Sequence, residues 1–166
     1  MAISKVELVA LGLLAEGPMH GYDLLERYRS LGMGLWAQVG KASVYQALRR
    51  LQDQGLISGR AQVGTEGPDR RVYRLARPGR DALVRAIVER FAGDQAALAL
   101  GFSHLLSGAA LRRGLDEREA ALRDRLDAIA VSRAQASGIA ARMLDREAAV
   151  AKADLAWLAS FRKARR

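Results

Sequence analysis

The chain has no cysteine, only two histidines and three prolines among 166 residues, and aromatic side chains make up 5% of it. Without cysteine there is no disulfide, no thiolate nucleophile and no Cys-type zinc site, which rules out cysteine-based redox sensing and permits a reducing cytoplasm. His20 and His104 stand far apart with no carboxylate cluster beside them, so no metal site is expected, and His20 reads as a structural residue. No apolar run approaches the roughly 20 residues that cross a bilayer. The opening Met1-Ala2-Ile3-Ser4-Lys5 lacks the three-part order of a secretion signal. The expectation is a soluble protein of the cytoplasm, associated with the nucleoid and having no membrane partner. Catalytic signatures are missing as well: there is no Gly-x-Ser-x-Gly elbow, no phosphate-binding Gly-Lys-Ser/Thr loop and no His-Glu-x-x-His pair. Gly32-Met33-Gly34-Leu35-Trp36-Ala37 spells a dinucleotide fingerprint, but it follows a helical pattern and no parallel βαβ unit surrounds it. Neither an enzyme nor a cofactor is expected.

What is present is basic and apolar. Lys and Arg number 27 against 18 Asp and Glu, a net charge of +9 that favours polyanionic partners. Half of the residues are hydrophobic, enough to bury a core in one domain of moderate size or two small ones.

Ser4 and Glu7 have capping-box spacing ahead of Val6, Leu8, Val9, Leu11, Leu13 and Leu14, which predicts a first, largely buried helix ended by Gly17-Pro18. A second helix is expected over 21–31, with Tyr22, Leu25 and Tyr28 on one face, Leu24 alongside, and Gly32 and Gly34 as its stop. A third is expected over 42–54, begun by Ser43 or Lys41 and ended by Gly55. Its apolar stripe is Val44, Leu48 and Leu51; at about 3.6 residues per turn Ala42, Gln46, Arg49, Arg50 and Asp53 fall opposite, with Tyr45 on the flank. Stretches 56–63 and 71–76 read as strands around the turn Gly64-Thr65-Glu66-Gly67-Pro68-Asp69. Three short helices and a hairpin follow the order of a winged helix.

Pro78 suits the first turn of a fourth helix, on which Leu83, Ile87 and Phe91 share a face. Gly93-Asp94 is the expected boundary between two domains, 1–92 and 93–166. From Asp94 onward the chain has no proline and is rich in Ala, Leu, Arg and Glu, predicting helices over 95–106, 117–134 and 139–163. Gly108 and Gly114 are expected to loosen the stretch before the middle one, which Asp116 and Glu119 would cap. That helix carries Leu115, Leu122, Leu126 and Ile129. In the last helix Met143, Val150 and Trp157 stand seven apart, a seam able to join helices, although Arg118 and Arg125 occupy positions a strict coiled coil would fill with apolar residues. The fold class expected is mostly α with a small β-hairpin wing.

Five blocks in order carry a resemblance: the segment from Leu11 to Leu25 (LGLLAEGPMHGYDLL), that from Ser43 to Leu51 (SVYQALRRL), Gln54-Gly55-Leu56-Ile57, the segment from Gly67 to Leu75 (GPDRRVYRL), and Pro78-Gly79-Arg80. They resemble the phenolic-acid-decarboxylase regulator (PadR) family of transcription factors over roughly the first half of the chain. The second half resembles the helical dimerisation domain of longer members in composition and helix order alone. Two departures, Gln46 where the family often has proline and Gly40-Lys41-Ala42-Ser43 before the third helix, fall where DNA would be touched and bear on the operator rather than the fold.

The resemblance implies a repressor that binds a palindromic duplex-DNA operator as a homodimer. Gln46 is suited to an adenine and Arg49 or Arg50 to a guanine, whereas Lys41, Ser43 and Tyr45 are suited to phosphates. Arg60, Arg70 and Arg71 belong to a wing that approaches the neighbouring minor groove, and Tyr73 is read as a core residue. Phe102, His104, Trp157 and Phe161 either line a pocket for a small aromatic effector or fill the core of the dimer. The competing functional class is a winged-helix adaptor that binds another protein, against which the basic third helix and arginine-bearing wing both argue.

Overall fold

The computed structural model describes residues 2–62 and 70–164, with the backbone alone at Gln62 and Arg70. The turn from Gly64 to Asp69 lies outside the described residues. Helix α1 (Lys5–Leu14) begins with the expected capping box: the Ser4 N–H donates to Glu7 Oε2 at 2.8 Å and the Glu7 N–H donates to Ser4 Oγ at 3.3 Å. Leu8, Val9, Leu11, Leu13 and Leu14 are buried around its whole circumference, which makes α1 the post the other elements enclose.

Met19–His20 forms a short strand, β1, that the sequence does not announce, since two residues are too few to show alternation. Helix α2 (Gly21–Ser30) follows, and Gly32, at φ +62°, supplies the left-handed residue beyond its end. Leu24, Leu25 and Tyr28 are buried, but Tyr22 is 61% exposed, contrary to the face expected for it. At about 100° per residue, Tyr22 lies roughly 60° beyond Leu25, itself at the edge of the buried arc. The pseudo-fingerprint segment is a single 3-10 turn, Met33–Leu35. Beyond it, Tyr28 Oη accepts the Val39 N–H at 2.9 Å and so pins the loop that leads into helix α3 (Lys41–Asp53).

Strands β2 (Ile57–Gln62) and β3 (Arg70–Leu75) pair antiparallel from Ile57 opposite Leu75 to Gln62 opposite Arg70. β1 adds to the other edge of β3, giving the order β1-β3-β2. Helix α4 (Arg77–Val88) carries Pro78 in its first turn and buries Leu83 and Ile87 on the expected face; Phe91, expected on the same face, lies beyond the end of the helix and is fully buried there.

The second half departs from expectation at two places. Instead of one helix over 95–106 there is α5 (Ala96–Gly101) followed by a 3-10 turn, Ser103–Leu105. Helix α6 (Gly108–Arg133) starts nine residues before the expected point, capped by Ser107, whose Oγ accepts the Ala110 N–H at 3.3 Å; Asp116 therefore lies inside the helix. Gly114 does not loosen it. A Cβ there would stand 2.4 Å from Phe91 Cδ2, so glycine lets α6 close on the end of α4. Helix α7 (Gly138–Lys163) returns antiparallel to α6. Arg118 and Arg125 bridge the two helices, to Asp154 at 2.9 Å and Glu147 at 2.7 Å, which accounts for arginine where apolar residues would be wanted.

One continuous core runs from Ile3 to Leu158. The two halves meet through glycines. The Phe102 ring occupies the space a Cβ at Gly12 would need, 2.3 Å from its Cε1, and Trp36 likewise crowds Gly101, at 2.7 Å. Arg90 adds a polar tie, donating to Ala86 O at 2.8 Å, to Gln95 Oε1 at 3.0 Å and to Ile3 O. Burial lowers its guanidinium pKa from the ordinary value, against a smaller opposing effect of Glu89.

Candidate nucleic-acid interface

Helix α3 is amphipathic by sequence and is mounted accordingly. Val44, Ala47, Leu48 and Leu51 bury one side against α1 and α2. Ala42, Gln46, Arg49 and Asp53 face solvent as one stripe, flanked by exposed Lys41 and Tyr45, with Ser43 half-buried at the first turn. The stripe combines a side-chain amide with a guanidinium, the groups that can make paired hydrogen bonds to base edges.

Arg50 differs from Arg49 in one respect. Its Nε lies 3.3 Å from Glu7 Oε1, and the Glu7 side chain is 8% exposed against 55% for Arg50. The carboxylate that caps α1 thus also tethers the last turn of α3, a link between elements more than forty positions apart that periodicity within one helix cannot reveal.

The hairpin divides the arginines expected to act together in the wing. Directly opposed residues of an antiparallel pair share a face and successive residues alternate. Arg71, opposite Ala61, therefore shares the face of Tyr73 and Ile57, which look toward the helices. Its Nη1 donates to Gln52 Oε1 of α3 at 3.2 Å. Gly59 makes this closure possible, since a Cβ there would come within 2.6 Å of Gln52 Oε1 and 2.9 Å of Arg71 Cδ. Arg60, opposite Val72, stands on the other face, as does Arg74 opposite Ser58. The side chain of Arg70 lies outside the described ones. Tyr73 is buried, as expected.

A cleft of about 610 Å³ opens where α2 begins, between α3 and β3, lined by His20, Gly21, Tyr22, Asp23, Tyr45, Arg71 and Tyr73. Tyr45 reaches it by lying over Gly21, where a Cβ would be 2.8 Å from Tyr45 Cε1. Tyr22 was not among the residues expected here. Its spacing from Leu25 and Tyr28 suggested core, and the available signal was its angular offset from the buried arc.

The four aromatic and imidazole groups of the second half separate into two pairs. Phe102 and His104 lie with ring centroids 6.5 Å apart and planes tilted by 40°, and Phe102 is buried against α1. Trp157 and Phe161 stack at 5.1 Å and line a cleft of about 450 Å³ together with Trp36, Leu100, Arg118 and Asp154. Trp36 joins them from the loop before α3. Along α7, Ile139, Met143, Val150 and Trp157 form a stripe between 45% and 75% exposed, while Ala141, Ala151 and Leu158 face α6 and the core. Among the described residues, no group of three or more His, Asp or Glu is placed to hold a metal ion, and no helix is long and apolar enough to cross a membrane.

Comparison with known proteins gives a match over residues 10–85 to the family described as the transcriptional regulator PadR-like family. No curated protein matches the chain. Similar solved structures include PadR of Bacillus subtilis in complex with operator DNA, 19% identical, aligned over 93% of this chain and 96% of that one with a TM-score of 0.46. A Streptococcus mutans protein is 14% identical, with the same shares and a TM-score of 0.45. A PadR-like transcriptional regulator of Bacillus cereus is 16% identical over 93% and 91%, with a TM-score of 0.43.

Proposed function

Since residues 10–85 match the PadR-like family of transcriptional regulators, we propose that the chain is a repressor binding a palindromic operator in duplex DNA as a homodimer. The observation that carries this is the solvent-facing stripe of α3, Gln46 and Arg49 with Lys41 and Tyr45 beside them, next to a wing whose Arg71 is fastened to the same helix. Gln46 and Arg49 are assigned to base edges in the major groove. Lys41, Ser43, Tyr45 and Arg71 are assigned to the sugar-phosphate backbone, and Arg50, Arg60 and Arg70 to its periphery. In this reading the protein is a regulator of the cytoplasm and not an enzyme. Residues 1–92 serve as the DNA-binding domain and 93–166 as the domain for dimerisation and response.

Dimerisation is assigned to the exposed stripe Ile139, Met143, Val150 and Trp157, because a seven-residue apolar repeat left in water gains by pairing with its own copy. The pair of α3 helices would then meet successive major grooves, about 34–36 Å apart. Control by a small aromatic effector is assigned to the cleft of Trp36, Trp157 and Phe161. An occupant there touches the loop that leads into α3, and it changes operator affinity to the extent that it prefers one spacing of the two α3 helices.

The test is binding to the DNA upstream of the chain's own coding sequence against a scrambled duplex, titrated in salt. The reading predicts selective binding with a steep salt slope, and weakened dimerisation together with weakened operator binding in Met143→Glu. Equal, weak binding to both duplexes would refute it.

A further inference from the structure

We infer that the cleft between the start of α2, the first turns of α3 and strand β3 is a seat for one phosphate of the DNA backbone, with Tyr22, Tyr45 and Arg71 as its donors. The inference rests on the DNA-binding reading above and adds to it a site with its own chemistry.

Three elements converge on this cleft, each bringing a hydrogen-bond donor: Tyr22 from α2, Tyr45 from α3 and Arg71 from β3. Phenolic hydroxyls and a guanidinium are the groups that bind phosphate oxygens without regard to base sequence. Tyr22 is 61% exposed although an aromatic ring in a first helical turn has apolar surface to bury, so its present surroundings leave its role to a partner. Two of the donors are held in place before any ligand arrives. Tyr45 rests on the bare Gly21 backbone, and Arg71 is fixed by Gln52 across Gly59. His20, also lining the cleft, stands at the N-cap of α2. The cleft adjoins the outward stripe of α3, so a backbone strand flanking a groove entered by Gln46 and Arg49 passes over it.

Asp23 is the dissenting group. It lines the same cleft, and its carboxylate accepts the His20 N–H at 3.4 Å. A carboxylate so close to a bound phosphate opposes it, and this supplies a test in the favourable direction. An asparagine at position 23 keeps the acceptor for His20 and removes the charge.

The experiment measures affinity for the upstream duplex and for a scrambled duplex between about 50 and 200 mM salt, using the full chain and its Tyr22→Phe, Arg71→Gln and Asp23→Asn variants. Thermal unfolding confirms that each variant is folded. Tyr22→Phe is expected to weaken both duplexes about 3–10-fold, the effect of one hydrogen bond. Arg71→Gln should weaken both alike and lower the salt slope by about one. Asp23→Asn should tighten both several-fold at low salt. If Tyr22→Phe and Arg71→Gln leave affinity and slope unchanged while the unaltered chain binds its upstream DNA selectively, the seat is refuted and the DNA reading stands. Failure of the unaltered chain to bind either duplex would overturn both.

Discussion

The Glu7–Arg50 pair leads to an asymmetry that can be calculated before it is measured. One carboxylate serves two partners: Oε2 takes the Ser4 N–H at 2.8 Å and Oε1 faces Arg50 Nε at 3.3 Å. The gross attraction at that separation is about 5 kcal/mol for an effective dielectric constant of about 20, and the cost of burying Glu7 cancels much of it. Glu7→Gln removes the buried charge itself. Glutamine still serves the capping box, and Arg50, 55% exposed, turns to water. The net loss should be about 1 kcal/mol, near the upper end for exposed pairs. Arg50→Ala leaves a carboxylate that is 8% exposed with one hydrogen bond in place of two interactions. Stranding a fully buried charge costs roughly 3–5 kcal/mol, so with solvent within partial reach a loss of about 2 kcal/mol is expected. The more exposed residue is therefore the more expensive one to lose. In the double variant the excess disappears, because no charge remains to be stranded, and the cost should return to about 1 kcal/mol. Urea denaturation of the four proteins, compared through midpoints at constant slope, measures all of these values. Costs that simply add, or a Glu7→Gln loss exceeding that of Arg50→Ala, would refute the reasoning.

Gly12→Ala drives a methyl group into the Phe102 ring, 2.3 Å from the required position, and should lower stability by about 1–3 kcal/mol, read as a fall in Tm. Arg90→Ala deletes donors to Ile3 O, Ala86 O and Gln95 Oε1 and should cost about 2 kcal/mol, with Arg90→Lys recovering little because one ammonium cannot reach in three directions. Hydrogen bonding from Arg133 holds the exposed Asp145 carboxyl below its usual range, with the charge of Arg133 acting the same way and desolvation against. A folded pKa below the unfolded one stabilises at neutral pH, and the contribution is lost as pH falls through the folded value. Asp145→Asn should therefore flatten the acid limb of a stability-against-pH curve slightly and leave its alkaline limb unchanged.

Local chemistry made much of this fold readable. The Ser4–Glu7 box, the stripe of α3, Gly32 beyond α2 and Pro78 at the start of α4 each signal through residues within a turn or two of one another. What stayed hidden depends on contacts distant in sequence. Gly114 read as a weak point of a helix because the Phe91 ring that requires it belongs to another element. Arg60 and Arg71 read as one group because the pleat that sends them to opposite faces is fixed only by register. Trp157 and Phe161 stand four apart on one helix, but Trp36, which completes their cleft, comes from a loop with no periodicity to betray it.

The glycine hollows at positions 12 and 101 bear on how this protein can be recombined. Each receives one large ring from the opposite half, Phe102 in the first case and Trp36 in the second, like two dowels glued in opposite directions. A chimaera joined near Gly93 would inherit one dowel and one socket from each parent. Grafting a foreign C-terminal half onto this N-terminal half therefore requires a ring to fill the groove at Gly12 and a bare backbone to receive Trp36. Shuffled libraries should yield folded hybrids mainly where both matches are met.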